Sequence, residues 1–142
     1  MNVNDTDPAG ADDDIELRLR ADLGHLPLIR SVAAGIAIRA DFDLDAIADL
    51  RLAVDEACST LITRAVPGSR MVCRFGLRAD EVCFTGAVAT EQPETPSAGS
   101  FGWRVLTTLA DSASAWIEED TGNGQAKWVY VQLAKRRPVV GG

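Results

Sequence analysis

One long amphipathic helix constrains the fold of this chain more than any other feature of its sequence. The segment LDAIADLRLAVDEACSTLITRA, residues 44–65, repeats apolar residues at the spacing that lines up one face of a helix. Asp43 is a suitable N-cap before it, and Pro67-Gly68 ends it. Because one face is apolar, the helix has to bury that face against a sheet or other helices. The apolar stripe consists of Ile47, Leu50, Val54, Ala57, Cys58, Leu61 and Ala65.

Five shorter segments alternate apolar and polar residues and predict a mostly antiparallel sheet. They are residues 15–22, 70–78, 81–88, 112–119 and 127–135. Short connections join the second to the third and the fourth to the fifth, which predicts two hairpins. If Arg78 faces Glu81, the first hairpin buries Cys73 and turns Cys83 to the opposite face. In that register Met71, Cys73, Phe75 and Leu77 lie opposite Val88, Gly86, Phe84 and Val82.

Two further helices complete the predicted fold. In residues 25–40, Pro27 suits the first turn of a helix, and apolar residues recur at helical spacing. Residues 101–111 also have a helical pattern, whereas residues 89–100 are rich in Pro, Gly, Ser and Thr and predict a long loop. This order of elements predicts an α+β fold, a two-layer sandwich with the helices on one face of the sheet. The apolar positions of the first helix are Leu28, Val32, Ala33 and Ile36.

The ends of the chain and its net charge limit its domain organisation and its ligands. The chain has 142 residues and a net charge of −7, and its aspartates before residue 15 predict a disordered acidic tail over residues 1–14. Residues 15–135 then form a single domain, and residues 136–142 form a frayed tail. Clustered basic charge for nucleic acid, a signal peptide and a membrane-length apolar run are all missing from the sequence. We therefore expect a cytoplasmic protein with no direct contact with nucleic acid or a membrane.

Cysteine and histidine are too sparse to predict a disulfide framework or a zinc site. The chain has three cysteines without a Cys-x-x-Cys pair, and its one histidine, His25, is expected at the start of the first helix. Cys58 and Cys73 are expected to be buried. Cys83 is expected to point outward, which leaves a reactive thiol as an open alternative.

Three aromatic residues predict an interaction surface on the outer face of the sheet. The alternation that buries the small and branched residues of the last two strands turns Trp116, Trp128 and Tyr130 outward. Clustered exposed aromatic side chains are typical of interfaces. Self-association and binding of a different partner both fit this pattern.

Two segments of the chain resemble a known family. DLRLAVDEACSTLI, residues 49–62, is followed after a hairpin and a loop by AGSFGWRVLTTLAD, residues 98–111. This pair is similar to the RsbW-type anti-sigma factors, the small serine-kinase branch of the GHKL ATPase fold. The similarity runs from about Ile15 to Lys135 in the same element order. It implies a GHKL-type sandwich and Mg-ATP as the cofactor.

The resemblance assigns roles to individual residues. In the family the long helix carries a Glu that acts as general base and, four residues later, an Asn that helps to hold magnesium. Glu56 matches the Glu, and Thr60 stands at the Asn position as a magnesium ligand whose reach is shorter by about 1 Å. Gly99 and Gly102 match the remains of a glycine-rich phosphate turn. The family's adenine-binding Asp-x-Gly-x-Gly corresponds to TGAVATE, which lacks the Asp.

These motifs predict weak or lost ATP binding in a protein that regulates transcription. The resemblance implies a homodimeric anti-sigma factor that sequesters an alternative sigma factor of the stress or sporulation type. A STAS-type anti-anti-sigma protein would release the sigma factor by competition. Two alternatives stay open: an active serine-protein kinase using Glu56 and Thr60, and a dimeric interaction module that binds no sigma factor. The loop before Gly102 is either a nucleotide lid or a plain connection.

Overall fold

The computed structural model describes residues 13–92, 94–119 and 127–139 as a five-stranded sheet covered by helices. All neighbouring strands are antiparallel, and across the sheet they lie in the order first, second, third, fifth and fourth along the chain. The apolar residues of the helices and of one sheet face form a single core. The predicted two-layer α+β sandwich is therefore confirmed. The elements are β1 (Asp13–Arg20), α1 (Leu26–Arg39), α2 (Leu44–Arg64), β2 (Arg70–Leu77), β3 (Glu81–Thr90), α3 (Phe101–Leu109), β4 (Ser112–Glu119) and β5 (Lys127–Arg136), with a short 3-10 turn at Leu23–His25.

Several element ends differ from the sequence prediction. Strand β1 includes Asp13 and Asp14, which the sequence analysis assigned to the acidic tail, because both pair with the end of β2. Strand β5 includes Arg136, and the next residue, Arg137, donates its N–H to Asp80 O at 2.7 Å. Strand β3 continues to Thr90, inside the predicted loop, since it pairs with β5 along its whole length. The predicted tail over residues 1–12, the turn at 120–125 and residues 140–142 lie outside the described residues.

Helix α2 forms as its sequence predicts. The carboxylate of Asp43 accepts a hydrogen bond from Ala46 N at 2.8 Å, which satisfies one free amide of the first turn. The helix ends at Arg64, before the Pro67-Gly68 turn. Its buried residues include Leu50, Val54, Ala57, Cys58 and Leu61, all from the predicted stripe. None of the helices in the described part of the chain combines the length and the apolar character needed to cross a membrane.

Helix α1 also forms, but one of its predicted core positions is wrong. Pro27 lies in the first turn as expected. Leu28 is 51% exposed, whereas its neighbour Ile29 is fully buried. Successive residues point about 100° apart around a helix, so the choice between two adjacent apolar residues depends on where α2 and the sheet lie. The buried residues of α1 are Ile29, Ala33, Ile36 and Ala37.

The first hairpin has the predicted register. Phe75 pairs with Phe84, and Cys73 with Gly86. The turn is closed by a hydrogen bond from Arg78 N to Glu81 O at 2.9 Å. The two phenylalanine rings lie 5.1 Å apart at 57°, a tilted arrangement favourable for aromatic pairs. Cys73 is buried as predicted, and Cys83 pairs with Gly76 on the other face.

Gly86 allows α2 to lie close to the centre of the sheet. A Cβ atom at this position would lie 2.7 Å from Leu61 Cδ1 and 3.1 Å from Phe84 Cζ. Both side chains are fully buried, so neither has free space to move into. The missing side chain at Gly86 therefore sets the height of α2 above β3.

The environment of Cys83 makes its thiol a poor nucleophile. Its Sγ donates a hydrogen bond to Glu81 Oε2 at 3.3 Å. Burial, followed by this hydrogen bond to a carboxylate, raises the pKa of Cys83 to about 11. Because the thiolate is the reactive form, the thiol stays unreactive near neutral pH.

Gly86→Ala should lower the free energy of unfolding by about 1–3 kcal/mol, because the added methyl overlaps Leu61 in a closely packed core. Urea unfolding measures the change. Gly35→Ala is the matched control, since nothing lies within 4 Å of its Cβ position on α1. Alanine has the higher helix propensity, so this control should stabilise the protein by up to about 1 kcal/mol. Equal midpoints for the two variants would contradict the close approach at Gly86.

Alkylation of the folded protein by iodoacetamide should be slow at pH 7 and should modify Cys83 before Cys58 or Cys73, which are buried. The rate should rise about tenfold per pH unit until the pH approaches the pKa of about 11. Glu81→Gln should speed the reaction at a given pH, because it removes the carboxylate that favours the protonated thiol. Rapid alkylation of the unaltered protein at pH 7 would show that this environment is wrong.

Candidate functional site

Glu56 and Thr60 lie together on the face of α2 that contacts α3. Both side chains are half-buried, and Thr60 Oγ1 donates to Glu56 Oε2 at 3.5 Å, the long limit for a hydrogen bond. The helices run antiparallel, because Glu56 contacts the first turn of α3 while Asp49 lies near its last turn. At the carboxyl end of α3, Lys135 Nζ links the two helices: it donates to Asp49 Oδ2 of α2 at 3.3 Å and to Leu109 O of α3 at 2.9 Å.

Gly102 brings the start of α3 directly onto this pair. A Cβ atom at Gly102 would clash with Glu56 Oε2 and would lie 3.7 Å from Thr60 Oγ1. A methyl group at this point would force the Glu56 carboxylate, the end of a flexible side chain, to move. The structure therefore places three of the four predicted site residues in one cluster: Glu56, Thr60 and Gly102.

Gly99, the fourth predicted site residue, lies in the turn before α3. Its N–H donates to Ser97 Oγ at 3.2 Å, and Ser100 N donates to Ser97 O at 3.0 Å. Ser100 is the N-cap of α3, and its hydroxyl accepts from Trp103 N at 3.1 Å. These three amides, which could otherwise face an anion, already have partners inside the turn.

The segment TGAVATE, which by resemblance corresponds to the family's adenine-binding motif, contains Thr90 at the end of β3. Thr90 is 3% exposed and is the buried polar residue of the described chain. Its Oγ1 accepts a hydrogen bond from Gln92 N at 3.1 Å. A hydroxyl engaged by its own backbone provides much weaker discrimination between bases than an aimed carboxylate.

Arg64 and Asp55 have structural roles that their sequence positions did not reveal. Arg64, in the last turn of α2, donates to Gln92 Oε1 at 3.2 Å and to Glu94 O at 2.9 Å. It thereby holds the start of the loop that leads to α3. Asp55 accepts from Arg30 at 2.6 Å and joins α1 to α2.

Glu56 and Thr60 supply few ligands for a magnesium ion between α2 and α3. Thr60 offers one neutral oxygen, and its hydroxyl donates a hydrogen bond to Glu56. Gly102 lies in front of that carboxylate. Within the described residues, no group of three His, Cys, Asp or Glu side chains could hold a metal ion. Magnesium binds tightly only when several oxygens reach it at octahedral positions. Glu56, Thr60 and Gly102 thus form a closed arrangement, in which the carboxylate faces the neighbouring helix.

The three predicted interface aromatics lie on the outer face of the sheet. Trp116 and Tyr130 are opposite each other on β4 and β5, and their rings stack 5.1 Å apart at 3°. Trp116 Nε1 also donates to Glu118 Oε2 at 3.0 Å. All three aromatics are half-buried, because they cover one another and the neighbouring strands. Their use as an interface stays a prediction.

A charged network next to these aromatics was not predicted. The carboxylate of Glu16 on β1 accepts from Arg18 Nε and from Arg74 of β2, each at 2.7 Å. These two hydrogen bonds, with Arg74 the stronger influence, lower the pKa of Glu16. The alternating charges of IELRLR were its only signal in the sequence.

Known proteins place this fold and site in one family. The model of the histidine kinase-like ATPase domain matches residues 19–126. An anti-sigma-F factor RsbW of Mycobacterium tuberculosis is 40% identical over 102 residues, which cover 72% of this chain and 61% of that protein. A serine-protein kinase RsbW of Bacillus cereus is 34% identical over 70 residues, 48% of this chain and 44% of that protein.

A solved structure, the mycobacterial sensor histidine kinase MprB, superposes with a TM-score of 0.45 at 8% identity, covering 87% of this chain and 100% of that one. The family assignment depends on the sequence matches. The predicted resemblance to RsbW-type proteins is confirmed. Since the domain model matches well over half of the residues, this chain belongs to the histidine kinase-like ATPase domain family.

Proposed function

We propose that this protein is an anti-sigma factor that sequesters an alternative sigma factor and is released by a STAS-type anti-anti-sigma protein. The similarity to RsbW proteins, an anti-sigma-F factor and a serine-protein kinase, supports the family role. Because the chain spans 61% of the length of the mycobacterial relative, the partners are part of the proposal. The protein acts as a homodimer in this scheme, and sedimentation tests that state.

Switching by competition between proteins, without phosphotransfer, follows from the closed arrangement at Glu56. A general base has to lie within about 2.6–3.2 Å of the proton that it takes. Glu56 Oε2 instead faces Gly102 and the hydroxyl of Thr60. A substrate hydroxyl can reach this carboxylate only after the first turn of α3 or the Glu56 side chain moves. This packing of Gly102 on Glu56 is the observation that carries the proposal.

The helix layer offers an apolar surface suited to a protein partner. Phe101 at the start of α3 is 81% exposed, and Leu52 of α2, one helical turn before Glu56, is 49% exposed. Large apolar side chains held in water on neighbouring helices are typical of binding surfaces. We place the sigma-binding surface here, next to the former nucleotide site.

An active serine-protein kinase is the second candidate function. The observation in its favour is that Glu56 and Thr60 share one face of α2 and contact each other. Both residues would serve the reaction only after α3 or the Glu56 side chain had moved.

Millimolar Mg-ATP should leave the melting temperature of the protein unchanged. A ligand at about 100 times its dissociation constant stabilises a native protein by roughly 2.7 kcal/mol, which for a domain of this size means several degrees. Calorimetry with and without nucleotide measures the shift. A rise that disappears in Glu56→Gln or without magnesium would overturn the closed-site proposal and favour the kinase.

Labelled phosphate from ATP should not be transferred to an anti-anti-sigma protein that nevertheless displaces the sigma factor. Displacement is followed by size-exclusion chromatography without nucleotide, and Glu56→Gln should leave it unaltered. Transfer that requires Glu56 would establish the kinase instead. Failure to retain any alternative sigma factor would favour the interaction module that binds none.

Phe101→Ser should weaken sigma-factor binding about tenfold or more, because loss of an aromatic anchor at an interface costs over about 1 kcal/mol. Calorimetric titration measures the affinity. Val139→Ser is the matched control, since this residue is 91% exposed and lies near the opposite end of the sheet. Equal weakening by both variants would remove the helix layer as the binding surface.

A further inference from the structure

A groove on the outer face of the sheet lies apart from Glu56 and has no role in the proposed function. Its volume is about 420 Å³. Small side chains form its floor: Val72 of β2 and Thr85 and Ala87 of β3. Larger side chains rise on both sides of that floor, so the groove follows the direction of the central strands.

The wall on the β1–β2 side is cationic. Arg18 and Arg74 line it, and their side chains are 65% and 61% exposed. They share the single carboxylate of Glu16, so the three side chains carry one net positive charge. Guanidinium groups in this position can still donate to another carboxylate, since each has five N–H groups.

The opposite wall is aromatic. Trp128 and Tyr130 of β5 line it, and Trp116 stacks behind Tyr130 and stiffens it. The two walls therefore differ in chemistry along the whole groove, one side selecting anionic groups and the other apolar ones. An extended polypeptide matches this asymmetry, because its successive side chains point to opposite sides.

Two other occupants fit less well. A second copy related by a two-fold axis along the groove would place floor over floor, leaving a void between two rows of small residues. A nucleic acid would bring phosphates toward Glu118 on β4 beside the aromatic wall, on a chain whose net charge is −7.

We propose that this groove binds an extended acidic segment of a partner protein, with carboxylates on the Arg18 and Arg74 side and apolar side chains on the Trp128 and Tyr130 side. The segment lies along the strands over Val72, Thr85 and Ala87. This site is independent of the helix layer, so the groove can be occupied whether or not a sigma factor is bound.

The probe is a short peptide of alternating glutamate and valine, titrated into the full chain by calorimetry. Peptides with lysine in place of glutamate, and with the same residues in two blocks, test charge and alternation. Arg74→Gln should weaken binding of the alternating peptide about tenfold. Arg78→Gln is the matched control, since this exposed arginine lies in the β2–β3 turn outside the groove.

Ala87→Leu keeps every charge and fills the floor, and it should also abolish binding. Its circular dichroism spectrum and melting temperature show whether it is folded, and Arg74→Gln supplies the same test at an exposed position.

Binding of the alternating peptide that depends on Arg74 and on an open floor supports the proposal. Equal binding of the blocked or lysine peptide, or no binding, overturns it. Preference for a single-stranded oligonucleotide, or a dimer broken by Arg74→Gln, also overturns it and assigns the face to nucleic acid or a second copy.

Discussion

The contact between α2 and the centre of the sheet determines where every other part of this molecule lies. Leu61 sits over Gly86, and the absent side chain there lets the helix pack closely on β3. Once α2 is fixed at that height, its Glu56–Thr60 face is directed at α3 and its Asp55 at Arg30 of α1. A core packed at this density does not yield gradually, so the helix layer is positioned as a unit.

Charged contacts at the edges of the helix layer fix the relative direction of the helices more than they add to the free energy of unfolding. The Arg30–Asp55 pair is partly exposed, and such pairs contribute at most about 1 kcal/mol. Lys135 does more, because its side chain is 16% exposed and joins Asp49 of α2 to the last carbonyl of α3. A cation at the carboxyl end of a helix also interacts favourably with the helix dipole. The antiparallel arrangement of α2 and α3, and with it the contact of Gly102 on Glu56, is held from this opposite end.

Local patterns predicted the sheet well because strand register depends on local chemistry. Opposing Arg78 and Glu81 at a two-residue turn forces Phe75 onto Phe84, and a one-residue slip would place the two rings on opposite faces of the sheet. The buried face of α1 was harder to predict, since Leu28 and Ile29 are both apolar and only the packing of neighbouring elements determines which of them is buried. At the site, spacing placed Glu56 and Thr60 on one helix face, but the closure by Gly102 joins residues far apart in sequence. No local pattern encodes that distance, and the same holds for Arg64 with Glu94.

A protein that keeps this fold while its candidate site is closed can still function by binding partners at its surface. This member of the histidine kinase-like ATPase domain family has a long helix over an antiparallel sheet, and its strand β3 ends at the buried Thr90. Fold alone does not determine activity, which depends on groups aimed at a reacting atom. In this chain the side chains of the candidate site, Glu56 and Thr60, contact each other. The solvent-facing groups are Phe101 on the helix layer and the arginines beside Trp128 on the sheet. Since these two surfaces lie on opposite sides of the core, the two proposed partners would not compete for space.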